Sequence, residues 1–418
     1  MEYGELQSPA GCDPRSGAGN PAGRARVTLL LCTTAALLEG FDNQSMGVAA
    51  PTMIPEFGLS PAQASVLFSA TTFGLFLGAA AGGRIADRWG RKPTLAASLF
   101  LFGVFSLLTA MAGGPGVLLV ARFMTGLGLG AAMPNFIALS SEAMAASRRL
   151  SAVTVVMAGM PFGGALSAVL ALGDGQGWSW RGIFYVGGAL PLILSVFTWL
   201  FLQERRPHRA AREHHAAERL ESVASVLFGP EQRWTTLALW GGFFFTQLVL
   251  FLMLNWLPSL LIGLGYSHAQ ATLASICFGV SGAAGAVFLG RLHGGTRRRL
   301  WVAVTYAGML VSVIVLPVAG ASFGLTALAS AFAGVFIIGA QLVLFALAPL
   351  YYRRTVRGTG VGAAVAVGRL GSVAGPLYAG ALLLAGGGST VVLLGVAPFI
   401  VLGGLAALRL ATREQCGD

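Results

Sequence analysis

The sequence predicts an all-α integral membrane protein, with twelve transmembrane helices in two six-helix bundles related by a pseudo-two-fold axis. Three observations predict it. Only 10% of the 418 residues are charged while 55% are hydrophobic. The apolar residues fall into about twelve stretches of roughly 20 residues, the length needed to cross a hydrocarbon core about 30 Å thick. All but three of the 27 Lys and Arg residues gather in the tails and in every second loop, at or beside the span ends; the exceptions are Arg122, Arg181 and Arg369.

The elements follow in order. Residues 1–26 are polar and rich in Gly and Pro, without the basic, apolar, small-residue order of a cleaved signal, so they read as a cytoplasmic tail before an uncleaved first span. The spans of the first half are 27–50, 63–83, 94–112, 117–140, 149–173 and 181–202, separated by turn-rich segments such as Pro51 to Ala62 and Gly113 to Gly116. The longest polar interruption, 203–233, carries Arg, Glu and His and reads as a cytoplasmic linker. Its His208, His214 and His215 fit a solvated charged loop better than a metal site. The second half spans 234–257, 268–290, 299–319, 324–350, 357–385 and 388–411, before a cytoplasmic tail of 412–418. This gives an N-terminal bundle over 27–202 and a C-terminal bundle over 234–411.

The two halves echo one another. Gly83 to Lys92 reads GRIADRWGRK and Gly290 to Arg299 reads GRLHGGTRRR, as expected of parallel repeats in a membrane carrier. The formal charge of +11 invites a nucleic-acid reading, but its distribution is topological. By the positive-inside rule both termini are expected to be cytoplasmic; the expected location is a multi-pass plasma membrane, the inner membrane if the source is bacterial. Cys12, Cys32, Cys277 and Cys416 lack ligand spacing and read as free thiols.

Charges inside the spans point to chemistry. Glu39 and Asp42 lie three apart in LLEGFDNQS, on one face of span one. Each ionised carboxylate at a bilayer centre costs about 2.5–3.5 kcal/mol on insertion scales, so two in one helix need a reason. Burial and mutual repulsion disfavour two simultaneous negative charges, which suits a proton carrier. Arg122, in ARFMTGLGLG, is a natural partner for them, and Gly126 and Gly130 let its helix approach a neighbour closely. Arg369, near the middle of span eleven, needs an anion, and a substrate carboxylate is the economical one. Asn135, Asn255 and Gln341 are candidates for orienting a hydroxyl or carboxylate. Phe41 and Trp256, with Phe73, Phe136 and Phe345, are candidates for an aromatic wall.

GRIADRWGRK resembles the loop signature of the major facilitator superfamily, in which this element latches the two halves in one state of the cycle. On that resemblance Gly83, Asp87, Arg88, Gly90 and Arg91 form a gating latch joined by Glu142: Gly83 for tight helix contact, Gly90 for a sharp turn, Asp87 for a carboxylate. ARFMTGLGLG resembles the fourth-span motif, where an arginine is associated with proton coupling, which adds Arg122 to Glu39 and Asp42. VVMAGMPFGGAL resembles, in part, a fifth-span motif of antiporters. EGFD, NWLPSLL, GAQLVLFALAPLYY and RGTGVGAAVAVGRLGSVAGP resemble the aromatic acid:proton symporter group over most of the chain, and look closest to members that move 3-(3-hydroxyphenyl)propionate and related phenylpropanoids. The resemblance implies a monomer that imports a small aromatic carboxylate with protons, using no cofactor beyond the proton gradient. Rival readings are a proton-coupled efflux antiporter and a membrane ligand sensor. The spans hold no set of nucleophile, base and orienting group, so an enzyme is not expected.

Overall fold

The structure, a computed structural model, describes residues 21–145, 148–173, 179–202, 228–229, 232–293, 297–320, 322–352 and 357–412. The predicted linker apart from 228–229 and 232–233, both predicted tails apart from 21–26 and 412, and Cys12 and Cys416 lie outside the described residues, as do His208, His214 and His215. Cys32 and Cys277 are free.

The described residues are helical throughout. In order they form α1 (Pro21–Glu56), α2 (Pro61–Trp89), α3 (Arg91–Ala110), α4 (Pro115–Glu142), α5 (Arg149–Ala171), α6 (Trp180–Phe201), α7 (Arg233–Gly263), α8 (His268–His293), α9 (Arg298–Val318) and α10 (Phe323–Leu347). A 3₁₀ turn (Ala348–Tyr351), α11 (Arg357–Leu384), α12 (Ser389–Gly395) and α13 (Ala397–Ala411) follow. Ten segments are long and apolar enough to cross a membrane, so this is a multi-pass membrane protein. Helices α1 and α8 pack among them.

Local chemistry sets the element ends. Ser60 caps α2 by accepting from the Gln63 amide N–H, while the Gln63 side chain accepts from the Ser60 N–H, and Pro61 occupies the first turn. Ser267 and Gln270 make the same reciprocal pair at the start of α8. The runs SPAQ and SHAQ are therefore a second echo between the halves. Gly90, at φ 102°, turns the chain from α2 directly into α3, so Arg91 and Lys92 are helical rather than loop residues.

Three boundaries depart from the sequence reading. Helix α1 begins at Pro21, within the predicted tail, and runs on to Glu56 through Pro51 and Pro55, which were expected to open a loop. Val48, Ala49, Ala50 and Met53 are buried there, and this packing outweighs the backbone bonds the prolines cannot make. The last span is two helices, divided just before Pro398. Helix α10 ends at Leu347 and tightens into the 3₁₀ turn before Tyr352.

Packing partners repeat with an offset of six when α12 and α13, the two parts of the last span, are counted as one. Helices α1 and α5 pair as α7 and α11 do, α2 and α4 as α8 and α10 do, and α3 and α6 as α9 and α13 do. Glycines set the closest of these approaches. A Cβ at Gly126 or Gly130 of α4 would fall on the carbonyl oxygens of Thr71 or Leu75 in α2. In contrast, Gly83 has no neighbour within 4 Å of its Cβ position, and it is Gly82 that packs against Ala131. The contact expected of Gly83 belongs one residue earlier, because helix rotation turns Gly83 away from α4. Gly126→Val is accordingly expected to abolish the monodisperse protein on size exclusion in detergent, since overpacking against backbone cannot relax by rotamer change and costs about 1–3 kcal/mol or more. Gly83→Val should leave folding unchanged.

Between the halves, α2 meets α11, α5 meets α8 and α1 meets α7. The Ser69 hydroxyl donates to the Val373 carbonyl at 2.9 Å, the Phe68 and Trp256 rings meet edge-on at 5.2 Å, and Gly47 lies against the backbone of Leu254 and Asn255. These contacts seal the end that carries the α1–α2 connection. On the same end Glu56 accepts from the Trp180 indole and from Arg181, whose guanidinium lies 4.5 Å from the Trp180 ring centroid. Arg181 thus clips α6 to α1.

Candidate functional site

Helix α1 delivers the acidic residues. Asp42 is 1% exposed and receives both Arg122 amino groups, Nη1 at 2.9 Å and Nη2 at 2.6 Å. Arg122, two turns into α4, also donates from Nε to Thr71 Oγ1 at 3.2 Å and lies 5.3 Å from the Phe184 ring centroid. The result is a planar bidentate pair with its spare donor used, the arrangement that makes a buried charge pair tolerable.

Glu39, one turn earlier, takes no part in it. It is 1% exposed, and neither carboxylate oxygen has a hydrogen-bond partner. The expected joint Glu39–Asp42 partnership with Arg122 is therefore divided, because a three-residue step still separates the two side chains by a turn's rise. Glu39 feels the positive charge of Arg369 of α11, on the opposite half, and the negative charge of Asp42. Arg369 is itself buried, and donates from Nη2 to the Met133 sulfur at 3.2 Å, a weak acceptor for a guanidinium. Two buried opposite charges on the two halves thus interact without a hydrogen-bonded ion pair.

Arg369 lines a cavity of about 140 Å³, walled by α1, α4, α5, α7, α8, α10 and α11; Glu39 is not in its lining, although the next residue, Gly40, is. Arg369 is its charged lining residue, and Asn43, Gln44, Gln247 and Gln341 are the polar side chains beside it. Met133, Met157, Met160, Leu250, Phe251, Leu254 and Phe345 supply apolar surface. Pro161 and Gly164 of α5 also line it, while Gly159 and Gly163 of the same run lie against α1. Apolar walls with one guanidinium suit an aromatic anion.

Several candidates point elsewhere. Asn135 and Asn255 donate to the carbonyls of Ala131 and Phe251, each one turn back in its own helix, and neither lines the cavity. A short amide near a helix wall finds its own backbone more readily than a ligand. Phe41 packs at Gly187 of α6, and Trp256 sits on Phe68 with its indole donating to the Pro376 carbonyl. Both are buried packing residues away from the lining. Phe73 is exposed beside Phe76 and Phe123, and Phe136 is fully buried. Of the proposed polar and aromatic contacts, Gln341 and Phe345 reach the cavity, with Arg369.

At the opposite end from the seal, Arg91 at the start of α3 pairs with Glu142 at the end of α4. This ties the turn at Gly90 to α4. Asp87 and Arg88 lie on the last turn of α2.

Sequence reasoning missed Asn43, Gln44, Gln247 and the methionines. Gln44 donates to the Ser275 carbonyl of α8 and so bridges the halves. Gln247 had a signal: it is a single amide in the run FFFTQLVLFLML.

Comparison with known proteins agrees with this architecture. The sequence profile of the Major Facilitator Superfamily matches residues 32–376. The chain is 43% identical to the 3-(3-hydroxy-phenyl)propionate transporter of Escherichia coli (strain K12), over 94% of its length and 97% of that protein's. It is 33% identical to a gallate transporter of Pseudomonas putida, over 92% of each. A crystal structure of a bacterial homolog of the human lysosomal transporter Spinster shares the fold, with a TM-score of 0.75 at 16% identity, covering 94% of this chain and 98% of that one.

Proposed function

The chain belongs to the Major Facilitator Superfamily, and on that premise we propose that it imports a small aromatic carboxylate, of phenylpropanoid or benzoate type, by proton symport through alternating access. It is a transporter and not an enzyme. The observation that carries the reading is a pair of buried opposite charges on the two halves, Glu39 without a hydrogen bond and Arg369 lining an apolar cavity with the Met133 sulfur as a weak acceptor.

In this mechanism the substrate carboxylate takes the Arg369 guanidinium bidentately and its ring lies among Phe251, Phe345 and the methionines. Glu39 then loses the charge that balanced it. A buried carboxylate without a counter-charge takes up a proton, so substrate and proton enter together and the loaded cavity is neutral. Neutrality lowers the cost of closing a low-dielectric cavity, and the halves rock about it. Asp42 and Arg122 hold α1 to α4 in register, setting the position of Glu39. The turn at Gly90, with Asp87, Arg88 and the Arg91–Glu142 pair, forms the latch at the cytoplasmic end. A cationic drug would be repelled by Arg369, which disfavours efflux of such compounds.

The same reading completes the architecture. The offset-of-six pairing and the two Ser-x-x-Gln caps support twelve spans in two bundles, 27–202 and 234–411, related by a pseudo-two-fold axis and joined by a cytoplasmic linker. The arginine distribution supports cytoplasmic termini in a bacterial inner membrane. The working unit is a monomer, with protons as its energy source and no cofactor.

Glu39→Gln tests the coupling. The variant is expected to exchange labelled for unlabelled 3-(3-hydroxyphenyl)propionate across proteoliposomes while losing its proton-driven accumulation by at least about tenfold. Accumulation at the wild-type level would contradict the role of Glu39.

A further inference from the structure

The cavity holds more polar capacity than an anion uses. Gln247 of α7 and Gln341 of α10 both line it, at 3% and 5% exposure. The Gln247 Oε1 atom and both amide atoms of Gln341 are buried without a hydrogen-bond partner. Their surroundings in the lining are apolar, with Phe251, Leu342 and Phe345 from the same two helices. An amide placed there forfeits its hydrogen bonds to water, a cost that is recovered only when another group pairs with it. Gln247 also lies beside the anion site: its Cγ is 3.3 Å from the Cβ position of Gly368, the residue before Arg369. The guanidinium and the vacant amides therefore belong to one half of the molecule and share one cavity.

We infer that Gln247 and Gln341 are specificity-determining residues that hydrogen-bond a ring hydroxyl of the aromatic acid held by Arg369; this rests on the proposed function above. The chemistry of the vacancies selects the partner. Both residues present an unpaired carbonyl oxygen, which needs a donor, and an ionised carboxylate has none to give. A phenolic hydroxyl donates one hydrogen bond and accepts others, so it can donate to the Gln247 Oε1 atom while accepting from the Gln341 Nε2 atom. A pocket built to bond a hydroxyl rejects the analogue that lacks it, because its amides are then left buried and unpaired. The acid recognised is thus one with a carboxylate at one end and a hydroxyl on the ring.

The test compares 3-(3-hydroxyphenyl)propionate with 3-phenylpropionate, which differ only in that hydroxyl, in wild-type protein and in Gln341→Leu, Gln341→Met and Gln247→Leu. Uptake into proteoliposomes and ligand-induced thermal stabilisation in detergent are read together, with the melting temperature of the ligand-free protein as the control for folding. The wild type is expected to favour the hydroxylated acid by at least about tenfold in kcat/KM. The leucine variants should reduce that preference to within about threefold, by weakening the hydroxylated acid while 3-phenylpropionate binds as before. An unchanged preference in all folded variants would overturn the inference, as would equal weakening of both acids, which would assign the amides to the carboxylate. A wild type that carries both acids equally would overturn it and leave the transporter reading intact. A wild type that neither binds nor carries either acid would overturn both.

Discussion

Arg369→Ala is expected to lower uptake of an aromatic carboxylate by roughly thirtyfold to several thousandfold, with folding preserved. The range follows from about 2–5 kcal/mol for truncating one partner of a buried charge pair, at tenfold per 1.4 kcal/mol. Folding is preserved because the guanidinium makes one weak contact, to the Met133 sulfur, so its loss leaves no strong hydrogen bond unmade. Glu39 is left without its counter-charge and takes up a proton, which spares the empty protein a buried anion. The defect should appear as weakened binding, read as loss of ligand-induced thermal stabilisation. Arg369→Lys should fall between wild type and alanine, since an ammonium keeps the charge but cannot bind a carboxylate through a planar fork. Uptake within a few fold of wild type in the alanine variant would remove Arg369 from the binding site.

Asp42→Asn is expected to act on the fold itself. The substitution strands Arg122, which is fully buried, with a neutral amide in place of a bidentate anion. Breaking a buried pair from one side costs about 3–5 kcal/mol, a large share of the stability of most domains. The variant should express poorly and melt well below wild type in detergent. Asp42→Asn combined with Arg122→Gln should recover much of that stability, because removing both charges removes the desolvation cost as well. Glu39→Gln makes the informative contrast. Glu39 has no hydrogen bond to lose, so its melting temperature should match or exceed wild type while coupling fails. If the melting temperatures of Asp42→Asn and Glu39→Gln were alike, the division of labour along α1 would be wrong.

Much of this was legible in the sequence because a bilayer imposes long apolar segments and a one-sided arginine distribution. Glu39, Asp42, Arg122 and Arg369 stood out for the same reason: a charge in hydrocarbon is expensive, so each one announces itself. Their pairing was less legible. A helix wheel places Glu39 and Asp42 on one face, but which arginine each meets depends on how α4 and α11 are tilted and set in depth, and the sequence holds neither. The amides show the same limit more sharply. Asn135, Asn255, Gln247 and Gln341 look alike as polar interruptions, yet the two asparagines bond their own helices while the two glutamines reach the cavity. Side-chain length and a few tens of degrees of helix rotation decide that outcome. The extension of α1 past Pro51 and Pro55 was hidden because proline reads as a breaker, whereas tight packing around Met53 holds the helix together.

The central claim is that a carboxylate on Arg369 and a proton on Glu39 cross together. It is tested most directly by loading purified protein into proteoliposomes with a trapped pH dye, with no imposed gradient, and adding 3-(3-hydroxyphenyl)propionate outside. The account predicts internal acidification that follows substrate entry in the wild type and is absent in Glu39→Gln, which still exchanges substrate. Substrate entry without acidification in the wild type, or equal acidification in the variant, would contradict it.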